Sequence, residues 1–239
     1  MNKNSNTYTF IYASVMVILV AAALALTNGL LKEKHNKNIE IDKMTQILRS
    51  IKVEATKDNA ENLYKANIKT AYILNSNGQV VDESQEATFG VDMSKEIIRP
   101  LEERQLPVYE AQSEGKTLYI LPVYGAGLWG PVWGYVSLQA DRNTIYAVSF
   151  SHAGETPGLG AEITTEAFQE PFSGKVLFKQ GDFRSIAVLK AGQKSDNQDA
   201  VDAISGGTIT SKGVEDMLLS CLGAYKAFFE QVEAEKKEE

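Results

Sequence analysis

Asp202-Ala203-Ile204-Ser205-Gly206-Gly207-Thr208-Ile209-Thr210-Ser211 runs directly into an apolar stripe, Val214, Met217, Leu218, Cys221, Leu222, Tyr225, Phe228 and Val232, spaced at three and four residues. That spacing predicts a helix with one buried face. The ten residues before it are small and rich in hydroxyls, so a loop feeds the helix start. Free amides and the positive end of a helix dipole favour an anion there, and two glycines let the backbone come close to it. The plainer alternative is a capped loop with Thr210 or Ser211 as N-cap. Cys221 lies on the buried stripe and reads as a small hydrophobe rather than a reactive thiol, with no histidine or basic cluster near it in sequence.

Upstream of this junction the pattern changes from period 3.6 to period 2. Leu106–Gln112, Thr117–Gly125, Val132–Ala140, Thr144–His152, Lys175–Gln180 and Ser185–Lys190 are strand candidates. Gly115, Pro122, Gly125, Gly127, Gly130, Pro131 and Gly134 punctuate them. Thr70–Leu74, the turn Asn75-Ser76-Asn77-Gly78 and Gln79–Glu83 read as a hairpin, because Asn-Gly supplies the positive φ that such a turn needs. Met44, Ile47, Leu48 and Ile51 fall at helical spacing, predicting a helix from about Asp42 to Asn67. The fold class is therefore α+β, a mixed and mostly antiparallel sheet with flanking helices.

At the front, Tyr8 to Leu26 contains no charge. As a helix it spans roughly 28 Å, enough for a hydrocarbon core, and Tyr8 and Tyr12 suit an interface. The competing reading is a cleaved signal peptide with Ala23 and Ala25 at its site. That reading meets a thin n-region, Lys3 alone, and an apolar run longer than the usual span of about 7 to 15 residues. The expected organisation is a short segment over 1–7, a transmembrane helix over 8–31, a helical stalk or first domain helix over 32–67, a sheet domain over 68–230 and a charged tail over 231–239. Lys32, Lys34 and Lys37 follow the apolar run, which by the positive-inside rule puts the domain in the cytoplasm.

The 239 residues are 44% hydrophobic, with a formal net charge of -7 and an acidic end from Glu230 to Glu239. A nucleic-acid partner would call for a clustered basic face, so none is expected. A single cysteine excludes an internal disulfide and a zinc site of cysteine pairs. His35 and His152 stand in no spacing with carboxylates that marks a hydrolytic dyad, triad or metal site, so no catalytic or metal-ligating residue is expected.

The stretch from Asp202 to Thr208 resembles the flavinylation signal of the FMN-binding domain family, in which a threonine hydroxyl accepts FMN from FAD through a magnesium-dependent flavin transferase. The resemblance implies a covalent FMN on Thr208, with Asp202 and Ser205 in the signal and Gly206, Gly207 and Thr210 beside the phosphate. Gly207 stands where the family usually has alanine. Two further segments are similar to that family. His152 to Ile163 resembles a His, Glu-Thr-Pro-Gly-Leu-Gly signature, implying that Glu155, Thr156, Gly158, Leu159 and Gly160 pack around the flavin; Ala153 and Gly154 make two residues between histidine and glutamate where one is expected. Read without the family, Thr-Pro-Gly says only that the chain turns. Tyr124 to Gly130 resembles a G-x-G-L-W-G segment, implying that Leu128 and Trp129 cover one face of the ring; large apolar residues between strands also suit a plain core.

Two electron-transfer complexes use an FMN-carrying protein of this kind. One is the sodium-pumping NADH:quinone reductase, where it is the C subunit; the other is the related ferredoxin:NAD oxidoreductase, where it is the G subunit. Gly160-Ala161-Glu162-Ile163 and the long segment before the first hairpin resemble the quinone-reductase version. The resemblance implies an electron-relay protein in the inner (cytoplasmic) membrane, crossing once, with the domain outside the cytoplasm and the other subunits of the complex as partners. A membrane-tethered sensor or binding module without flavin is the alternative from another class.

Overall fold

The computed structural model describes residues 6–113 and 115–231, so Lys3, Val232 and nearly all of the charged tail lie outside the described residues. Two units divide the chain, Met1–Lys43 and Met44–Glu239. Helix α1 (Asn6–Arg49) begins in the first unit and carries the uncharged run there. Its most apolar window has a mean hydropathy of 2.4 and none of it is buried within the chain, so the helix is long and apolar enough to cross a membrane.

The helix expected from Asp42 to Asn67 is in fact two. α1 stops at Arg49, and α2 (Ala60–Asn67) follows a turn-rich break. Lys52 adopts φ +60°, and the Val53 amide donates to the Leu48 carbonyl, closing the helix with a left-handed cap. Gln46, Ile47, Leu48, Ser50 and Ile51 are buried. The compact unit therefore begins near Met44, within the span read as a stalk or first domain helix.

Six strands follow, β1 (Ile68–Leu74), β2 (Val80–Asp82), β3 (Leu106–Ser113), β4 (Lys116–Ala126), β5 (Pro131–Leu138) and β6 (Ile145–His152). They form one sheet in the order β2-β1-β3-β4-β5-β6, with every neighbour antiparallel. The expected turn closes β1 to β2, with Gly78 at φ +75° and the Asn75 carboxamide oxygen accepting the amides of Asn77 and Gln79. Two short helices unforeseen in the sequence, α3 (Gln85–Gly90) and α4 (Met93–Glu96), cross from β2 to β3.

Alternation along the strands sends side chains to two cores. Ile47, Leu48 and Ile51 pack with Tyr109, Leu118, Ile120 and Tyr135 on one face. On that face Ser137 Oγ donates to the Ser50 carbonyl, and Trp133 Nε1 donates to Gln46 Oε1 at 3.1 Å. The other face packs Leu121, Val123, Val132, Val136 and Phe150 against the last long helix and the 160–178 segment. In that segment α5 (Glu166–Gln169) brings Phe168 against Phe150 and Phe172.

The expected strands at 175–180 and 185–190 are shorter and lie outside the main sheet. β7 (Phe178–Lys179) and β8 (Asp182–Phe183) make a small hairpin. β9 (Ile186–Leu189) pairs in parallel with β10 (Asp199–Asp202), a strand the sequence did not announce. From β10 the chain enters α6 (Thr208–Ala224), which lies along β4. At its far end Tyr225 Oη, fully buried, donates to the Pro107 carbonyl at 2.9 Å. The Arg142 guanidinium sits over the Phe228 ring at 4.1 Å and donates to the Phe228 carbonyl, pinning the chain past the helix.

Gly134 lies at the centre of β5, where a Cβ would strike the Ser149 carbonyl oxygen and come within 2.8 Å of Phe150 Cδ1. Gly134→Ala should therefore cost about 3 kcal/mol as overpacking that backbone cannot relieve. A lowered melting temperature of the full chain by circular dichroism checks it.

Candidate functional site

β10 delivers the chain into a loop that folds back on the first turn of α6. The Ala203 amide donates to the Leu189 carbonyl, and the Ile204 amide donates to Ser211 Oγ at 3.0 Å. Gly206 takes φ +76°, which lets the chain reverse into the helix. The helix starts at Thr208, with Gly207 as N-cap and no side chain capping it. This corrects the capped-loop alternative: Thr210 and Ser211 lie inside the first turn, both buried, their hydroxyls used elsewhere. Among the described residues no hydrogen bond takes the amides of Thr208, Ile209 or Thr210. The helix thus presents an open, partly positive end, and Thr208 stands exposed on it.

Three segments distant in sequence meet at this end, tied by one carboxylate. Glu155 is 5% exposed. Its Oε1 accepts the Trp129 amide at 2.8 Å and its Oε2 accepts the Thr210 hydroxyl at 2.6 Å. Burial pushes this carboxyl up, but the bonds from Thr210 and Trp129, the nearby His152 and the Leu128 amide together leave it below its ordinary value. Glycine is required on both sides of it: a Cβ on Gly127 would come within 2.5 Å of Oε1, and one on Gly160 would strike Oε2. The family resemblance implied a Glu155 beside the flavin; the structure turns it inward, as a strap between loops.

The other expected residues are distributed around the strap. Thr156 is exposed, and its carbonyl accepts the amides of Leu159 and Ala161, closing the Thr-Pro-Gly turn. Gly158 takes φ +74°, with its amide on Glu162 Oε1. His152 ends β6 opposite Val132, and its Nδ1 accepts the Glu155 amide at 3.1 Å, so its role here is to shape the turn. Leu128, Trp129 and Leu159 are exposed by 47%, 69% and 41%, and Leu159 lies against Gly206. Asp202 and Ser205 are exposed at the loop.

Sequence reasoning missed two contributors. Ile209, 60% exposed beside Thr208, adds to the apolar rim. Gly213 lets α6 approach the end of β4, where a Cβ would strike the Ala126 carbonyl oxygen. On the other flank of Thr208 an open groove of about 360 Å³ is lined by Val188, Lys190, Gln193, Lys212 and Glu215. Cys221 is buried far from this end, its thiol pushed up by burial and bonded to the Tyr124 backbone.

An exposed hydroxyl on an open helix end, with a rim of Leu128, Trp129, Leu159 and Ile209 and glycines where loops close, fits a flat apolar ring carrying a phosphate. Residues 127–223 match the family described as FMN-binding domain. Among solved structures the chain is similar to the C subunit of the Na(+)-translocating NADH-quinone reductase from Parabacteroides distasonis, at 47% identity and TM-score 0.78 over 83% of this chain and 96% of that one. It is also similar to Shewanella oneidensis NqrC, at 26% identity and TM-score 0.67 over 82% and 99%. The corresponding protein of Pasteurella multocida is 31% identical over 93% of this chain and 92% of its own length.

Fold and site together define an FMN-binding domain behind an apolar N-terminal helix. The chain belongs to the NqrC family, the C subunits of Na(+)-translocating NADH-quinone reductases. It is thus part of an oxidoreductase complex, FMN is its cofactor, and of the two complexes the sodium-pumping one, which the sequence favoured, is the one its relatives belong to.

Glu155→Gln keeps the shape of the strap but removes its charge. Hydrogen bonds to charged groups contribute about 1.5–3 kcal/mol, and a loss of that order is expected in denaturant titration at neutral pH. The sign with pH follows from the lowered carboxyl: its contribution is complete above the unfolded value, near 4.3, and is lost as pH falls through the folded one. Acid titration of stability should show this component in the parent and lack it in the variant.

Proposed function

We propose that Thr208 carries FMN through a phosphoester to its hydroxyl, and that the chain relays electrons inside the sodium-pumping complex. The observation that supports it is the exposed Thr208 at the first position of α6, beside three amides with no partner among the described residues. A phosphate at that hydroxyl meets these amides and the helix dipole at once, an interaction of about 0.3–1 kcal/mol at an exposed end. Ser205, Gly206 and Gly207 bring backbone to the same point, and Asp202 belongs to the segment the attaching enzyme reads. Leu128, Trp129, Leu159 and Ile209 exclude water from one side of the ring.

When bound, FMN supplies single-electron transfer chemistry that no side chain of this domain supplies. The protein's part is to attach, orient and shield. Thr210 and Glu155 hold the helix start against the two loops, so the attachment point does not wander relative to the rim. The expected partners are the other subunits of the complex and, during maturation, a magnesium-dependent flavin transferase. The chain is proposed to cross the membrane once, through α1, with the domain on the extracytoplasmic side.

Two measurements check this. The full chain expressed with its flavin transferase should give an ultraviolet-fluorescent band on a denaturing gel, Thr208→Ala a dark one, and the peptide containing Thr208 should gain the mass of FMN less water. Fluorescence persisting in the variant moves the attachment elsewhere; a dark parent band leaves a tethered domain without covalent flavin. Protease added to spheroplasts should digest the domain, whereas protection would follow the Lys32, Lys34 and Lys37 signal and reverse the orientation.

A further inference from the structure

We propose that Lys212 is the cation that receives the flavin phosphate at Thr208, leaving an acidic pair to do so; this rests on attachment at Thr208. Lys212 lies four residues beyond Thr208, one turn along the same helix face. Both line the groove flanking the attachment point, together with Lys190, Gln193 and Glu215.

The Lys212 ammonium is held 2.6 Å from Glu215 Oε1 and 3.1 Å from Asp216 Oδ1. The members of this cluster differ in freedom. Glu215 has its other oxygen on the Val188 amide at 2.9 Å, which fastens it to β9, and its side chain is 19% exposed. Lys212 is 58% exposed on a flexible stem, so it is the member able to move. Without it, a phosphate approaching along the groove would meet the Glu215 carboxylate, with Lys190 the other cation among the described lining residues.

The step it assists is phosphoryl transfer from FAD. The bond from Thr208 Oγ1 to the flavin-side phosphorus forms as the bond from that phosphorus to the pyrophosphate bridging oxygen breaks. AMP leaves with the electron pair and the hydroxyl proton passes to solvent. The diester that remains carries one negative charge, shared between the open amides and Lys212.

The test uses the full chain with flavin transferase, FAD and magnesium, following the growth of in-gel fluorescence and the ³¹P resonance of the loaded protein. Lys212→Gln should load roughly fivefold more slowly than the parent, the scale of one lost exposed charge contact, and should shift the diester resonance. Lys212→Arg should restore both, with melting temperatures alike in all three. Parent-like loading or an unshifted resonance in Lys212→Gln overturns the assignment, as does a Lys212→Arg that behaves like Lys212→Gln. A parent chain that acquires no flavin defeats the attachment reading itself, and this one with it.

Discussion

One buried carboxylate ties together the three segments that meet at the start of α6. Glu155 accepts a hydroxyl from the first turn of α6 and an amide from the β4–β5 loop, while its own amide is held by the end of β6. The residues it joins are 55 and 26 positions away in sequence. An ionised carboxylate taken out of water needs that many donors to be tolerated, so loops and helix start are bound to a common arrangement. Two glycines keep space for its oxygens, and a methyl group at either would force the strap open.

The helix start is open because the rest of α6 is so firmly held. Gly125 and Gly213 let α6 come down on β4, with Met217 against the strand. Beyond the helix, Tyr225 and the Arg142–Phe228 stack fix the following turn. With packing supplying the stability, the first turn has no need of a capping side chain. Gly207 in the N-cap position leaves the amides of the first turn without an internal competitor.

Much of this was legible in the sequence wherever the signal was local. The Asn-Gly turn, the Gly and Pro punctuation from residue 115 to 134 and the stripe from Val214 to Phe228 each report on neighbours a few residues away. The break between α1 and α2 was not legible, because it rests on a left-handed Lys52 with no proline or glycine to mark it. β10 was missed since four residues pairing in parallel with β9 leave no alternating pattern long enough to read. At the site, the motif residues were visible as letters, but the inward turn of Glu155 and the outward turn of Ile209 depend on partners far along the chain. Likewise Thr210 read as a cap and is instead a donor to the strap.

The rim around Thr208 is a shelf, with Trp129 and Ile209 more than half exposed. So shallow a surface makes too few contacts to give a small molecule a long residence time. The bond proposed at Thr208 would remove the off-rate from consideration, and shape would then be released from the task of retention. Under that proposal the shelf would be free to remain open on its outer side, where a donor and an acceptor of electrons would reach the ring in turn without any lid having to lift.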